Sequence, residues 1–293
     1  MFLKLFILAA LFADVIAGTW NLKWFPSSRA EHRASPAKEE KNINLAAETI
    51  SSSLVKMYES APKDSGVILF FQEVRGFTCM TNLTANTKIP NLSLNCVTRF
   101  KDWDGRLQWQ QCAIASTLPL VDSNWSYWKR PKKIFPPRGY AYALYDGGKD
   151  GLIACFCIHL KSNYGASSPD KKKDNMKKRE VCAEQLVQLT KKLKAPDGRK
   201  ISKVIIAGDF NTDAWAEYFK DEKTITVLTD ANYINCFPKD TPSDERSTHP
   251  GNKNFKDATL DYIFYRGFDS SVKRYIAPPS QVSDHRLLWL HLK

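Results

Sequence analysis

Residues 204–213 read VIIAGDFNTD. Val204 to Ala207 form a short apolar, β-branched run of the kind that makes a buried strand. Gly208 ends the run, and Asp209 and Asn211 follow at its carboxyl end. Taken alone, Asp-x-Asn after Gly is most often a turn capped by its own side chain. In α/β folds, however, polar groups at strand ends converge in one crevice where ligands bind. The weight of this stretch therefore depends on how the other strands end.

Several end in the same way. Val67–Phe71 runs into Gln72-Glu73-Val74-Arg75, and Leu152–Ile158 into His159-Leu160-Lys161-Ser162-Asn163. The run Leu260–Tyr265 contains Asp261, Leu287–Leu290 is preceded by Ser283-Asp284-His285, and the opening strand, Thr19–Trp24, carries Asn21. Ala113–Ala115 is a further apolar run. Helical spacing separates some of these strands: Ile43, Ala46, Ala47, Ile50, Leu54 and Met57 share one face over 42–58, and Val181, Leu186, Leu189 and Leu193 over 174–193. Alternating strands and helices predict α/β layers. The polar segment 78–104 reads as an excursion from one domain.

The collected side chains suit one kind of chemistry. Hydrolysis of a phosphodiester needs a hard cation, which prefers oxygen ligands from carboxylates and amides. Glu73, Asp209, Asn211, Asp284 and Asn21 are of that type. It also needs a base or orienting group for water and a proton source for the leaving oxygen, and His159 and His285 suit both. Asp261 can orient His285 and stabilise its charged form. Each residue alone has an ordinary explanation as solvated surface, turn or structural histidine; the set is much harder to explain so.

With these blocks in view, the chain resembles the endonuclease/exonuclease/phosphatase superfamily, which includes deoxyribonuclease I, abasic-site endonucleases, the cytolethal distending toxin nuclease subunit, neutral sphingomyelinases and inositol-polyphosphate 5-phosphatases. The matching blocks are TWNLKW at 19–24, QEVR at 72–75, IHLKSN at 158–163, GDFNTD at 208–213, TLDYIFY at 259–265 and SDHRLL at 283–288, in family order. The resemblance implies a four-layered α/β sandwich, two packed mixed β-sheets flanked by helices. It implies Glu73 as the main metal ligand, supported by Asn21 and Asp284. It implies Asp209 for the attacking water, Asn211 for the phosphate, His285 with Asp261 as base or phosphate-stabilising group, and His159 at the leaving oxygen. Arg75, with Lys161 and Asn163, would meet substrate phosphate. Mg²⁺ or Mn²⁺ is the expected ion, with Ca²⁺ as a structural alternative. One departure stands out. The deoxyribonuclease I branch pairs the equivalent of His159 with a Glu on an earlier strand, whereas residues 108–112 here read QWQQC. A Gln can orient an imidazole but stabilises its charged form less well.

The remaining features bear on location and substrate. Residues 1–17 read as a secretory signal peptide: Lys4, an apolar run from Leu5 to Leu11, then Val15-Ile16-Ala17. Residues 18–293 are then one domain, exported and monomeric, and no later stretch approaches the ~20 apolar residues that span a bilayer. Export favours disulfides among the seven cysteines, with Cys79–Cys96 the best pair and at least one thiol free. Asn82, Asn91 and Asn124 begin glycosylation sequons. A net charge of +12 suggests a polyanionic partner. Two basic blocks could track a phosphate backbone: Lys171, Lys172, Lys173, Lys177, Lys178 and Arg179, and Lys129-Arg130-Pro131-Lys132-Lys133 beside Trp125, Tyr127 and Trp128. DNA is the expected substrate, with RNA as an alternative. Two other readings stay open: a lipid or inositol phosphate phosphoesterase, whose basic blocks would meet a membrane, and a binding or toxin scaffold without catalysis.

Overall fold

Among the described residues, twelve strands form two six-stranded sheets that pack face to face, with helices flanking them. The computed structural model describes residues 14–29, 33–131, 133–251, 256–269 and 271–293. In chain order the strands are β1 (Val15–Phe25), β2 (Gly66–Val74), β3 (Ser93–Val97), β4 (Gln111–Ser116), β5 (Leu120–Tyr127), β6 (Gly139–Asp146), β7 (Leu152–His159), β8 (Ile201–Asp209), β9 (Ile234–Asn235), β10 (Asp261–Arg266), β11 (Ser271–Ile276) and β12 (Leu288–Leu292). One sheet has the order β11-β12-β1-β2-β4-β3 and the other β5-β6-β7-β8-β10-β9. Both mix parallel and antiparallel pairs: β1 runs parallel to β2 and β7 to β8, while β12 and β10 are antiparallel neighbours. The expected α/β sandwich of two mixed sheets is therefore present.

Strand alternation sorts the core into layers. Val15 and Ala17 of β1, with Ile68 and Phe70 of β2, face the second sheet. Ile16, Trp20, Val67, Leu69 and Phe71 face outward and meet helix α1 (Pro36–Tyr58) through Ile43, Ala46, Ile50 and Leu54. Helix α2 (Phe77–Asn86) lies on the same side, and helix α3 (Pro169–Lys192) packs Cys182, Leu186 and Val187 into the other cluster. Two short helices, α4 (Thr224–Asp230) and α5 (Ser243–Arg246), complete the set. Helices α1 and α3 begin several residues before their apolar periodicity does. Ser35-Pro36 and Ser168-Pro169 set the starts, each serine accepting a backbone N–H three residues on.

Four features differ from expectation. The segment 78–104 is partly integrated: it supplies α2 and the edge strand β3, which completes the first sheet. Strand β1 starts at Val15, with Val15, Ile16 and Ala17 paired to both β12 and β2, so a leader boundary at residue 17 would fall inside the central strand. Asp14 adds a buried 2.8 Å contact to His291 Nε2; the rest of the expected leader, residues 1–13, lies outside the described residues. The Cys79–Cys96 bridge is not formed. All seven thiols are free and buried, Cys79 Sγ donating to Gly76 O and Cys96 Sγ to Asn124 O. Finally, Trp128 is buried, so it offers no face for a base, while Trp125 is half-buried and packs edge-on against Phe100 and Tyr127 is exposed. Lys132 of the adjoining basic block is outside the described residues. No helix among the described residues is long and apolar enough to cross a membrane.

Candidate active site

Register places three of the expected residues side by side. His159, the last residue of β7, pairs with Asp209, the last of β8, and Asp209 pairs with Asp261, the first of β10. Cross-strand partners share a face, and this face looks toward β1 and β2. From there Asn21 Nδ2 donates to Asp209 Oδ2 at 2.9 Å and to Glu73 Oε1 at 3.2 Å. His159 Nε2 lies 3.6 Å from both Glu73 Oε1 and Asp209 Oδ2. His285 Nδ1 contacts Asp261 Oδ2 at 2.8 Å, and its Nε2 is 3.9 Å from Asp209 Oδ2.

Backbone irregularities aim these groups. Alternation would send Glu73 outward with Val67, Leu69 and Phe71. Instead β2 loses register with β4 between Phe71 and Val74, and Glu73 has φ 57°. The β1–β2 pairing shifts between Asn21 and Phe25, where Lys23 and Trp24 have φ 48° and 55°. These left-handed residues cluster around the site, as strain held in place by its surroundings often does. They let Trp24 N donate to Glu73 Oε2 at 3.3 Å. Gly208 has φ 148°, and a Cβ there would come within 2.0 Å of Ile158 O, so the β7–β8 approach requires glycine. Asn211, at φ 53°, donates its N–H to Asp209 Oδ1 and its Nδ2 to Leu160 O.

The segment before β12 is tied to β1. Ser283 Oγ donates to Asn21 O at 2.6 Å, His285 N donates to Ser283 Oγ, and Trp20 Nε1 donates to His285 O. Thr248 Oγ1 accepts from Asp261 N. His285 is thus held at its backbone and at its ring.

Burial and neighbouring charge set the protonation pattern. Burial pushes Asp209 up to about 7, Asp261 acting in the same direction and His285 against it. Burial alone would lower His285, but the charge and hydrogen bond of Asp261, helped by Asp209, raise it to about 10. His159 lies well below its ordinary value through burial, reinforced by Arg138 and His285, so its ring is neutral near pH 7. Its Nδ1 and Asp261 Oδ1 are buried without a partner.

Other expected residues are engaged elsewhere. Arg75 forms a fork with Glu39 at 2.5 and 2.6 Å, which occupies both terminal nitrogens. Asn163 donates to Asn211 O and accepts from Arg179. Lys161 is half-buried, with Nζ on Ser162 O. Asp284 is exposed and ion-paired with Lys23 at 2.7 Å. Arg179, expected in a basic stripe, is fully buried against Glu222. Two residues near the site had no signal in the sequence. His249 stacks edge-on against His285 with ring centres 4.8 Å apart. Arg138 donates to His159 O, Leu160 O and Gln110 Oε1, so the QWQQC segment holds an arginine and leaves the His159 ring alone.

The donor set fits a hard cation. Glu73 and Asp209 present carboxylate oxygens to one space, and a buried acid such as Asp209 is relieved by further positive charge. Asn21, expected as a ligand, instead turns its NH₂ to both carboxylates while its Oδ1 accepts from Lys23 N. Among the described residues, two groups have ligand atoms within 4.8 Å of one another: Asp209, Asp261 and His285, and His249, Asp284 and His285.

Comparison with known proteins finds the same fold elsewhere. The chain is similar to an endonuclease/exonuclease/phosphatase from Beutenbergia cavernae, with 12% identity, TM-score 0.64, 96% of this chain and 71% of that one. It is similar to sphingomyelinase C from Streptomyces griseocarneus, with 12% identity, TM-score 0.58, and 96% and 99% covered. It is also similar to D. rerio TDP2 complexed with a single-strand DNA product, with 13% identity, TM-score 0.55, and 96% and 99% covered. At these identities the likeness speaks to fold alone. No curated protein sequence matches. The model of the endonuclease/exonuclease/phosphatase family matches residues 18–285, which contain all the groups converging here, and the chain belongs to that family.

Proposed function

We propose that the chain is a divalent-metal-dependent phosphodiester hydrolase acting on nucleic acid, DNA first and RNA second. The observation that carries the proposal is the meeting of Glu73, Asp209, His159 and the Asp261–His285 pair in one cluster between the sheets. Glu73 would hold the ion, Mg²⁺ or Mn²⁺, with Asn21 orienting its carboxylate through the amide NH₂. When bound, such an ion neutralises phosphate charge and polarises the scissile group.

The protein's own groups divide the remaining work. Asp209, poised near 7, accepts a proton from the attacking water, since a base titrating near the working pH is the most effective. Imidazolium His285, held by Asp261, stabilises the charge that gathers on the phosphate oxygens. Neutral His159 meets the phosphate through Nε2; its depressed pKa makes it a poor proton donor to the leaving oxygen. Lys23 is a further cation at the mouth through its pair with Asp284.

Nucleic acid is favoured by the charge of +12 and by exposed Lys171, Lys173, Lys129 and Arg130. We also propose export, with leader removal before Asp14 so that β1 stays whole; N-terminal sequencing of secreted protein tests this. The functional test is hydrolysis of plasmid DNA, RNA, sphingomyelin and inositol phosphates, each with Mg²⁺ and with chelator, over a salt series. Cleavage of DNA or RNA that needs the metal and weakens steeply with salt is expected. Turnover of a lipid or inositol substrate alone, or of none, would refute the proposal.

A further inference from the structure

A cavity of about 480 Å³ opens beside the acidic centre, walled by Trp24, Trp103, Trp109, Gln108 and Gln110. Its walls connect directly to the site. The backbone N–H of Trp24 donates to Glu73. Gln110 accepts from Arg138, whose other nitrogens hold the carbonyls of His159 and Leu160. A molecule seated in the cavity therefore lies next to the group it would present for cleavage.

One tryptophan is held out to solvent on a closed turn, and another is backed by a cation. Trp103 is 99% exposed, a position where a large ring has no packing reason to be. It sits in a tight excursion closed by Asp102 N to Arg106 O at 2.8 Å, Gly105 N to Asp102 O at 3.0 Å and a bridge between Lys101 and Leu107. Trp109 lies under the Arg75 guanidinium, 5.7 Å from its ring centre, and Arg75 is clamped by Glu39. The clamp that removes Arg75 from the phosphate makes it the backing of an aromatic wall.

The polar part of the lining selects the occupant. Asp102, Asp104, Arg106, Gln108 and Gln110 interleave with the rings. An acyl chain would leave these groups desolvated and unpaired. A flat heteroaromatic ring with hydrogen-bonding edges satisfies both halves of the surface. We infer that the cavity is a nucleobase subsite, taking one unpaired base of the nucleotide beside the scissile phosphate. The inference rests on the nuclease reading and adds a preference: single strands and frayed ends over intact duplex, because a base inside a duplex cannot enter.

The test is binding in chelator, read by intrinsic fluorescence, of a single-stranded DNA oligonucleotide and an abasic oligonucleotide of the same length, followed by cleavage of both with Mg²⁺. Trp103→Ala should weaken binding of the base-containing strand by about five- to a hundredfold, the range of one base–aromatic stack. Trp103→Phe should restore most of it, and neither substitution should change binding or cleavage of the abasic strand. Equal effects of Trp103→Ala on both strands, or none on either while DNA is still cleaved, would overturn the subsite and leave the nuclease standing. Loss of vesicle binding in Trp103→Ala, without loss of oligonucleotide binding, would overturn it in favour of a lipid-facing surface. If no nucleic acid is bound or cleaved by the wild type, the nuclease reading itself fails, and the subsite with it.

Discussion

Two buried charge clusters sit a few residues apart and are built on opposite plans. In the first, Arg179 donates Nε and Nη2 to Glu222 at 2.7 and 2.5 Å and Nη1 to Lys161 O and Asn163 Oδ1. Glu222 also accepts from Thr212 and Thr224, and Phe219 lies against the guanidinium. In the second, Asp209, Asp261, His159 and His285 are just as hidden, yet Asp261 Oδ1 and His159 Nδ1 have no partner and Asp209 is pushed up to about 7. Burial alone does not distinguish chemistry from architecture. Completeness of pairing does, because an unsatisfied buried group is costly and is retained where something else binds it.

The contrast can be broken by mutation, starting with the incomplete cluster. His285→Ala or Glu73→Ala should lower phosphodiester cleavage by roughly 10²–10⁴-fold. Glu73→Ala should leave the urea midpoint unchanged or higher, whereas His285→Ala should also lose stability at neutral pH, because it strands the buried Asp261 carboxylate. A substantial loss of stability in Glu73→Ala would mean that the cluster is architectural after all. Glu222→Ala should do the reverse, destabilising by about 3–5 kcal/mol because it strands a buried guanidinium. Replacing both partners with apolar residues, Arg179→Met with Glu222→Leu, should recover most of that loss. A neutral Glu222→Ala measured by urea unfolding would remove the distinction. Asn163 touches both clusters, accepting from Arg179 and donating to Asn211 O. Asn163→Ala should cost about 1–3 kcal/mol of stability together with a modest fall in kcat. A pure KM effect would instead return Asn163 to the substrate.

The same contrast explains what was legible in the sequence. The incomplete cluster was readable because its members lie at strand ends beside continuous apolar runs: Asp209 after Val204–Ala207, His159 after Leu152–Ile158, Glu73 after Val67–Phe71. The complete cluster was not. Arg179 sits among lysines and reads as one more surface charge, and Glu222 lies in an irregular segment whose meeting with α3 is purely tertiary. The pairing of Arg75 is hidden for the same reason: its neighbour Glu73 is visible in the sequence, while its partner Glu39 lies on a separate helix. Strands β5 and β6 escaped notice because an edge strand such as LVDSNWSY and an alternation such as GYAYALYD lack a clean apolar run. The small residues at Val15–Ala17 that suit a leader boundary equally suit a strand flanked on both sides.

The smallest effect is one of pH, and its sign follows from which protonation state folding prefers. His285 rises from 6.5 to about 10 in the folded chain, so folding favours its charged form. That contribution is complete below about pH 6.5 and is lost as pH climbs through 10. Asp209, raised from 3.8 to about 7, acts with the same sign at lower pH: its contribution is complete below 3.8 and gone above 7. Metal-free protein should therefore melt at progressively lower temperature from pH 6.5 to 10 in chelator. Asp261→Asn should flatten that slope, since Asp261 is the largest influence raising His285. Added Mg²⁺ should raise the melting temperature most at alkaline pH, where Asp209 is ionised and a proton no longer competes with the ion for it. A wild-type melting temperature that holds level or rises over this range would mean that Asp261 and His285 do not share a proton as their 2.8 Å contact requires. The incomplete cluster would then owe its form to packing, like its neighbour around Arg179.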